Sequence, residues 1–156
     1  MITAITGVLE TLGSDDVVIR VGGVSLRVHV PISALETFGP LGGQERLHTH
    51  LQVTEDSLHL YGFPEEEGLR MFQMLLTVAG VGPKVALGVL SIMRPEEIAT
   101  AIASGDVEAL CKAPGVGNRS ANRIILELHD RLERENIPLA SPGFVLDGEV
   151  IVALKA

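Results

Sequence analysis

Aromatic residues and cysteine are both scarce in this chain of 156 residues. It contains no tryptophan, one tyrosine and four phenylalanines, which disfavours a binding surface that stacks nucleobases on aromatic side chains. The single cysteine, Cys111, excludes a disulfide within the chain and argues against a metal site built from cysteines. The apolar segment around Cys111 predicts a core position for it.

Membrane and export signals are also missing from the sequence. No apolar run approaches the roughly 18–20 residues that a membrane-spanning helix requires. Residues 1–13 lack the charged n-region and the small-residue cleavage site of a signal peptide. We therefore expect a cytoplasmic protein that does not act at a membrane.

Basic residues are in the minority. The chain has 12 Lys and Arg against 20 Asp and Glu, for a formal net charge of −8. An acidic chain is a poor candidate for general nucleic acid binding, so a function of that kind has to come from local features. A hydrophobic content of 46% predicts a well-filled core rather than disorder.

The first part of the chain shows the alternating pattern of β-strands. Gly22 and Gly23 separate two such segments and predict a two-residue hairpin turn. Five short strands with Gly and Pro between them favour a small antiparallel barrel of the OB type. The predicted strands are residues 2–9, 17–21, 24–30, 47–53 and 58–62.

After Pro64 the apolar period changes to that of helices. Three glutamates open the first helix, whose apolar positions run as far as Ala79, and Asp106 is placed to cap a short fourth helix. The sequence thus predicts a mixed α+β fold: an N-terminal OB-like antiparallel β-barrel, residues 1–63, followed by an all-α domain, residues 64–136, with two helix-hairpin-helix motifs.

The end of the chain changes character again. Two prolines, a serine and a glycine within residues 137–148 predict a flexible linker. The last eight residues, 149–156, resemble the start of a helix that stops short. We interpret them as the stub of a missing C-terminal domain.

Two loops of the helical part carry the same Gly-Val-Gly sequence, 35 positions apart. Each precedes a predicted helix, whose first turn presents N–H groups without intrahelical partners and can bind an anion. A basic residue follows each loop at the same offset. The candidate phosphate-binding residues are Gly80, Val81, Gly82 and Lys84 in the first copy and Gly115, Val116, Gly117, Asn118, Arg119 and Arg123 in the second.

A single Gly-x-Gly is most often only a tight turn between helices, but two copies with matched flanking positions favour a tandem helix-hairpin-helix. Such a motif holds duplex DNA through its phosphates and carries little sequence information. A nucleotide-binding P-loop is a poor alternative, because the chain has no GxxxxGK[ST] motif.

Other polar residues suggest weaker candidates. Glu55 and Asp56 lie at the predicted tip of the second hairpin, where a solvated turn is the simpler interpretation. His48 and His50 share one strand face and could ligate a metal, but no third ligand is evident, so ordinary surface or interface histidines are favoured.

Four segments together resemble the RuvA family, the Holliday junction-binding subunits of the bacterial branch migration complex. They are VGGV at residues 21–24, TEDSLHLYGF at 54–63, GVGPKVAL at 80–87 and PGVGNRSANRIILEL at 114–128. The order of barrel, paired hairpins and linker also matches that family, and the resemblance covers almost the whole chain.

The resemblance implies a homotetramer, alone or as two face-to-face tetramers, that holds a four-way DNA junction open for recombination and repair. It implies that Glu55 and Asp56 form an acidic pin near the crossover and that the two Gly-Val-Gly loops clamp the arms. It further implies a mobile third domain that docks the hexameric RuvB ATPase motor. The RuvC nuclease would cut the junction afterwards, and this chain itself would have no catalytic residue and no cofactor.

Three departures from the family pattern bear on these roles. Asn118 and Thr54 stand where basic residues are common, and the third domain is reduced to a stub. The main alternative function is a DNA repair enzyme, a glycosylase or a nuclease, that uses the hairpins for grip. A nuclease needs clustered carboxylates for metal ions, and Glu55-Asp56 is one such pair without a third partner. A protein-only adaptor is the remaining alternative.

Overall fold

The computed structural model describes residues 1–135. The linker and the stub predicted for residues 137–148 and 149–156 lie outside these described residues. The first part consists of the strands β1 Ala4–Leu12, β2 Asp16–Val21, β3 Val24–His29, β4 Gln44–Val53 and β5 Leu58–Phe63, with a 3-10 helix at Ile32–Thr37. The second part consists of the helices α1 Glu66–Leu76, α2 Pro83–Ile92, α3 Pro95–Ser104, α4 Val107–Cys111 and α5 Asn118–Glu135.

The five strands form a closed barrel in the order β1-β2-β3-β5-β4. Strand β1 closes it by pairing with both β2 and β4. All ladders are antiparallel except β3–β5, which is parallel. The predicted OB-like barrel is confirmed, and the description as antiparallel is corrected for this one ladder. The parallel pairing follows from the strand order: β5 is the antiparallel hairpin partner of β4 and lies between β4 and β3, along which it runs in the same direction as β3.

Alternating side chains of the strands fill the barrel. Leu9, Val17, Ile19, Val28 and Leu47 are completely buried. The predicted turn at Gly22-Gly23 is confirmed: Val21 pairs with Val24, and Gly22 has a φ of +61°. Such a conformation strains any residue with a Cβ, so the glycine in the sequence fixes the turn.

The helical part contains the five predicted helices, with one boundary wrong. Helix α1 ends at Leu76 rather than at Ala79, because Thr77 turns the chain; its N–H and its Oγ1 both donate to the carbonyl of Met74, at 3.1 and 2.6 Å. Val78 then takes the buried position and Ala79 is exposed. The cap at Asp106 is confirmed, since its Oδ1 accepts from the N–H of Ala109 at 3.1 Å.

Helix α3 begins with a capping box. The N–H of Arg94 donates to Glu97 Oε1 at 2.8 Å, and this hydrogen bond lowers the pKa of Glu97 below its ordinary value.

No helix within residues 1–135 is both long and apolar enough to cross a membrane.

The barrel and the helices pack directly against each other. Phe63, the last residue of β5, belongs to the same buried cluster as Phe72 of α1, and their ring centroids are 5.0 Å apart. A second contact joins the 3-10 helix to α2: Ser33 Oγ donates to the carbonyl of Leu90, and the N–H of Ile32 donates to Ser91 Oγ, both at 3.0 Å. The helical part is therefore held against the barrel at two places, one through α1 and one through α2.

Phe72 should dominate the stability of this joint. We expect Phe72→Ala to lower the free energy of unfolding by about 3–5 kcal/mol, because it removes a fully buried ring and leaves a cavity. Urea denaturation followed by circular dichroism measures this. Leu126→Ala, at a residue that is 81% exposed on α5, is the matched control and should change stability by less than about 0.5 kcal/mol. Equal effects of the two substitutions would contradict the packing described here.

Candidate nucleic-acid interface

The two Gly-Val-Gly loops have the same backbone structure. In each loop four N–H groups donate to equivalent carbonyls, over distances of 3.0–3.1 Å in the first copy and 2.9–3.3 Å in the second. These donor and acceptor pairs are Thr77 to Met74, Val78 to Leu75, Val81 to Val78 and Ala86 to Gly82, then Lys112 to Ala109, Ala113 to Leu110, Val116 to Ala113 and Ala121 to Gly117.

The middle valines anchor the loops. Val81 and Val116 are 6% and 7% exposed and belong to the helical core. The buried valine fixes each loop to the core, so the glycines on either side of it face solvent.

The first glycine of each loop is required by the backbone. Gly80 and Gly115 have φ values of +87° and +84°, a region that residues with a Cβ rarely adopt. These two glycines have a conformational explanation within the chain itself.

The second glycine of each loop has no such explanation. Gly82 has a φ of −95° and Gly117 is not in the positive region, so other residues could adopt both conformations. A Cβ added at either position would meet no atom within 4 Å. Both glycines precede helices, where serine would be a better N-cap than glycine. A ligand that binds the backbone N–H groups directly needs open space and amides without other partners, and both glycines provide these conditions.

The amides at these helix starts have no intrahelical partners. In α2 they belong to Lys84 and Val85, because Pro83 at the first position has no N–H. In α5 the corresponding amides belong to Asn118, Arg119 and Ser120. Together with the helix dipole, each group has the chemistry that favours an anion. The second hairpin thus offers one more backbone donor than the first.

The side chains beside these amides are exposed and mostly cationic. Neither Lys84 nor Arg119 forms an ion pair within 4.0 Å in the described part of the chain. Arg123 is paired with Glu127 at 2.7 Å, so its charge is partly compensated. Asn118 Oδ1 accepts from the Cys111 thiol, at 3.3 Å.

Two contributions escaped the sequence analysis. Lys112 is exposed at the start of the second loop, at the position that Thr77 holds in the first, and adds a further cation there. Gly88 of α2 lies against the second loop, since a Cβ on it would be 3.1 Å from the carbonyl of Pro114. The Cβ position of Gly115 is likewise 3.2 Å from Val85. The structure thereby brings the two hairpins side by side.

The acidic residues Glu55 and Asp56 are carried separately, by the turn between β4 and β5. Both are exposed. The turn itself is held by Thr54 and Ser57: the Thr54 N–H donates to the Ser57 carbonyl at 2.9 Å, and the Ser57 N–H donates to Thr54 Oγ1 at 3.1 Å. The two carboxylates are therefore not needed to form the turn, and Thr54 has a structural role.

The remaining candidates have ordinary environments. His50 contacts Gln52 and Gln73 at 3.2 and 3.3 Å, and His48 is half-buried on the same strand. Among residues 1–135 no three His, Cys, Asp or Glu side chains are grouped as metal ligands. Cys111 is half-buried and packs against the helical core, so its predicted core position is confirmed at the edge of that core. Its thiol donates a hydrogen bond to Asn118 Oδ1.

The closed barrel and the paired hairpins define an OB-like domain joined to a tandem helix-hairpin-helix. Residues 1–62 match the RuvA N-terminal domain, and residues 72–130 match the SAM-like helix-hairpin-helix tandem. Neither family description names a catalytic domain. The chain belongs to the RuvA family.

Curated relatives share both parts. Each of the following is named Holliday junction branch migration complex subunit RuvA. The protein of Chloroflexus aurantiacus is 40% identical over 96% of this chain and 78% of its own length. That of Thermoanaerobacter sp. strain X514 is 44% identical over 100% of this chain and 82% of its own length. That of Herpetosiphon aurantiacus is 47% identical over 82% of this chain and 65% of its own length.

Substitution of the second glycines should separate folding from binding. We expect Gly82→Ser and Gly117→Ser to leave stability unchanged or slightly raised, because serine caps a helix well. Both should weaken binding to four-way junction DNA several-fold. The new side chain occupies the open space, and its Oγ accepts a hydrogen bond from a backbone N–H that would otherwise donate to a DNA phosphate. Thermal melting and fluorescence anisotropy on a labelled junction measure the two effects.

Gly80→Ser is the matched control for this pair. Its φ of +87° makes any Cβ costly, by about 1–2 kcal/mol, so this variant should lose stability. Unchanged junction binding by Gly82→Ser and Gly117→Ser would mean that these glycines face no ligand.

Proposed function

We propose that this protein binds four-way DNA junctions through its paired hairpins and holds them open for branch migration in recombination and repair. One observation carries the proposal. The starts of α2 and α5 present equivalent groups of outward-facing amides, and the glycines before them, Gly82 and Gly117, are surrounded by open space that the fold itself does not require. The names of the relatives, which describe a Holliday junction branch migration complex subunit, support the same function.

The chemistry of the hairpins favours duplex arms as the ligand. Backbone amides and the Lys84 and Arg119 side chains contact phosphates, which every sequence presents alike. The contact residues in this proposal are Gly80, Gly82, Lys84, Gly115, Gly117, Asn118, Arg119 and Arg123. Val81 and Val116, which the sequence analysis included among them, are buried and position the loops from the core. A net charge of −8 is compatible with this, because the anion sites are local. The affinity should fall with salt, as expected where phosphates displace counterions.

The selectivity for junctions requires a further element, for which we propose the acidic turn. One chain offers one pair of hairpins, sufficient for one arm, so a four-way junction calls for four copies around a centre. A homotetramer would place Glu55 and Asp56 of every subunit near the crossover. Carboxylates there repel the phosphates of a continuous duplex, whereas an open junction leaves the centre free.

The division of labour in this proposal follows the family. Residues 1–63 form the central domain and residues 64–136 the arm-binding domain. The complex acts with the RuvB motor, which supplies the ATP-driven movement, and the RuvC nuclease acts on the junction afterwards. The protein works in the bacterial cytoplasm, where the DNA lies.

Reversal of the hairpin charges tests the phosphate contacts. We expect Lys84→Glu and Arg119→Glu each to weaken junction binding several-fold at low salt and to reduce the slope of log affinity against log salt by about 1, because each removes one phosphate contact. Binding isotherms at several salt concentrations measure both quantities. Arg20→Glu is the control: it makes the same change of charge at a barrel residue already paired with Glu10 at 3.2 Å. If all three variants behave alike, only the total charge matters.

Neutralisation of the acidic turn tests the selectivity. We expect Glu55→Gln/Asp56→Asn to raise the affinity for linear duplex more than that for the junction, so that the preference for junctions shrinks several-fold at low salt. Two unit charges about 8 Å apart repel by roughly 2 kcal/mol at an effective dielectric of 20, before screening by salt. Paired isotherms on a junction and on a duplex with the same arm sequence give the ratio.

Two controls accompany this measurement. Circular dichroism should show an unchanged fold, because Thr54 and Ser57 hold the turn. Light scattering should give wild type and variant the same mass, near four times the 16.6 kDa of one chain. A folded tetrameric variant with the wild-type ratio of affinities would leave the acidic turn without a selecting role.

A further inference from the structure

Six of the ring side chains form one continuous cluster that the sequence does not reveal. It begins with His59 and His29, whose ring centroids are 5.6 Å apart, and continues through Tyr61, 5.4 Å from His29. Tyr61 then contacts Phe72 at 5.2 Å, and Phe72 contacts Phe63 at 5.0 Å. His50 joins at the side, 5.6 Å from Phe72.

The burial of this cluster changes from one end to the other. Phe63 and Phe72 are 1% and 0% exposed and pack the barrel against α1. This packing role accounts for two aromatic side chains at the buried end of the cluster. Tyr61 and His29 are half-buried, and His59 is exposed. Tyr61 packs against the helical core through Phe72, whereas His29 and His59 extend this contact outward to the surface. The contact of these three rings with one another creates a face of ring edges and planes open to solvent.

Strand register places this ring face on the outside of the barrel. His29 of β3 is the register partner of Tyr61 on β5, and His59 lies two residues before Tyr61 on the same side of that strand. Gln52 of β4 stands opposite His59. The ring face, defined as His29, His59 and Tyr61, therefore spans two strands next to the β4–β5 turn.

The distance from the ring face to the acidic turn is short. His59 follows Asp56 by three residues, so their Cα atoms lie at most roughly 10 Å apart. A nucleotide positioned beside Glu55 and Asp56 is therefore close to His59.

We propose that His29, His59 and Tyr61 form a stacking surface for nucleobases that are unpaired at the junction crossover. The inference rests on the proposed function, since it assumes that the acidic turn lies at the crossover. Nucleobases are planar and have two π faces, so rings stack on them whatever their sequence. This fits a protein whose other DNA contacts also carry no sequence information.

The charges around the ring face suit a base better than a phosphate. Arg27 and Asp16, which flank His29, are paired with each other at 3.2 Å and contribute no net charge. Burial raises the pKa of the Tyr61 hydroxyl above its ordinary value, so the phenol stays neutral. The nearby carboxylates of the turn repel phosphates. A surface of rings beside an acidic tip can hold the base of a nucleotide while its phosphate remains outside.

This arrangement gives the crossover two complementary contacts. The acidic turn disfavours closely packed phosphates at the centre, and the ring face stabilises the bases that separate there. When a base pair opens at the crossover, its bases would thus lose stacking in the duplex and gain stacking on the ring face. The cost of the opening that precedes each migration step would then be lowered in both directions.

Zero-length crosslinking tests the proposal. A four-way junction carries one 5-iodouracil at the crossover, or, as a positional control, one in the middle of an arm, and is irradiated in complex with the full chain. We expect the crossover probe to crosslink to peptides that contain His29, His59 or Tyr61, and the arm probe to give none of these products. Mass spectrometry of the digested complex identifies the attachment sites.

Variants extend the test to affinity. We expect His29→Ala/His59→Ala to lose at least about five-fold of the affinity for a junction with mismatched, hence unpaired, crossover bases, and much less for a fully paired duplex. Tyr61→Phe keeps a ring and should bind as wild type does. His129→Ala on α5, where the histidine contacts Asp130 at 3.4 Å, is the matched control and should also bind normally. Thermal melting establishes that each variant is folded.

The outcomes separate this inference from the proposed function. A wild-type protein that fails to shift any junction would overturn the proposed function. A protein that shifts junctions, while the crossover probe attaches outside the ring face, overturns the stacking proposal and leaves the junction-binding function standing. Crosslinks at the ring face that disappear in His29→Ala/His59→Ala support both.

Discussion

The contact between Phe63 and Phe72 fixes the spatial relation on which the other features depend. Strand β5 carries the acidic turn just before its first residue, Leu58, and ends at Phe63 inside the helical core. Helix α1 then leads directly into the first hairpin. Because the joint is dry and completely buried, the acidic turn, the ring face and the first hairpin belong to one continuous scaffold. Geometry set at this joint determines where DNA held by the hairpins meets the barrel.

Electrostatics within this scaffold work by position rather than by total charge. The anion sites are made of backbone N–H groups, which contribute no formal charge, and of a few cations at the hairpins. The carboxylates Glu55 and Asp56 sit at a turn that other residues hold in shape. Under the proposed function, an acidic protein would bind a polyanion at the hairpins and repel it at the acidic turn. The same separation explains why the composition alone disfavoured nucleic acid as a ligand.

The sequence predicted those features whose signals are local. The turn at Gly22-Gly23, the cap at Asp106 and the two Gly-Val-Gly loops each depend on a few neighbouring residues, and the matched spacing of 35 made the loops recognisable as a pair. The end of α1 was missed because the Thr77 side chain competes for the carbonyl of Met74. The parallel β3–β5 ladder and the ring face were missed because they depend on register between distant strands, which no local pattern encodes. Scattered aromatic residues in a sequence can still meet in space.

Closure of the barrel has a consequence for how copies of the chain can associate. Strand β1 pairs with β2 on one side and with β4 on the other, and two register pairs between β3 and β5 complete the cylinder. Closure reduces the free strand edges on which a neighbouring molecule could extend the sheet, and such edges are a common starting point for aggregation of β-rich proteins. Copies of the chain that associate around this barrel would therefore rely more on side chains than on shared strands. An assembly of that kind can form and separate while the main-chain hydrogen bonds of the barrel stay intact.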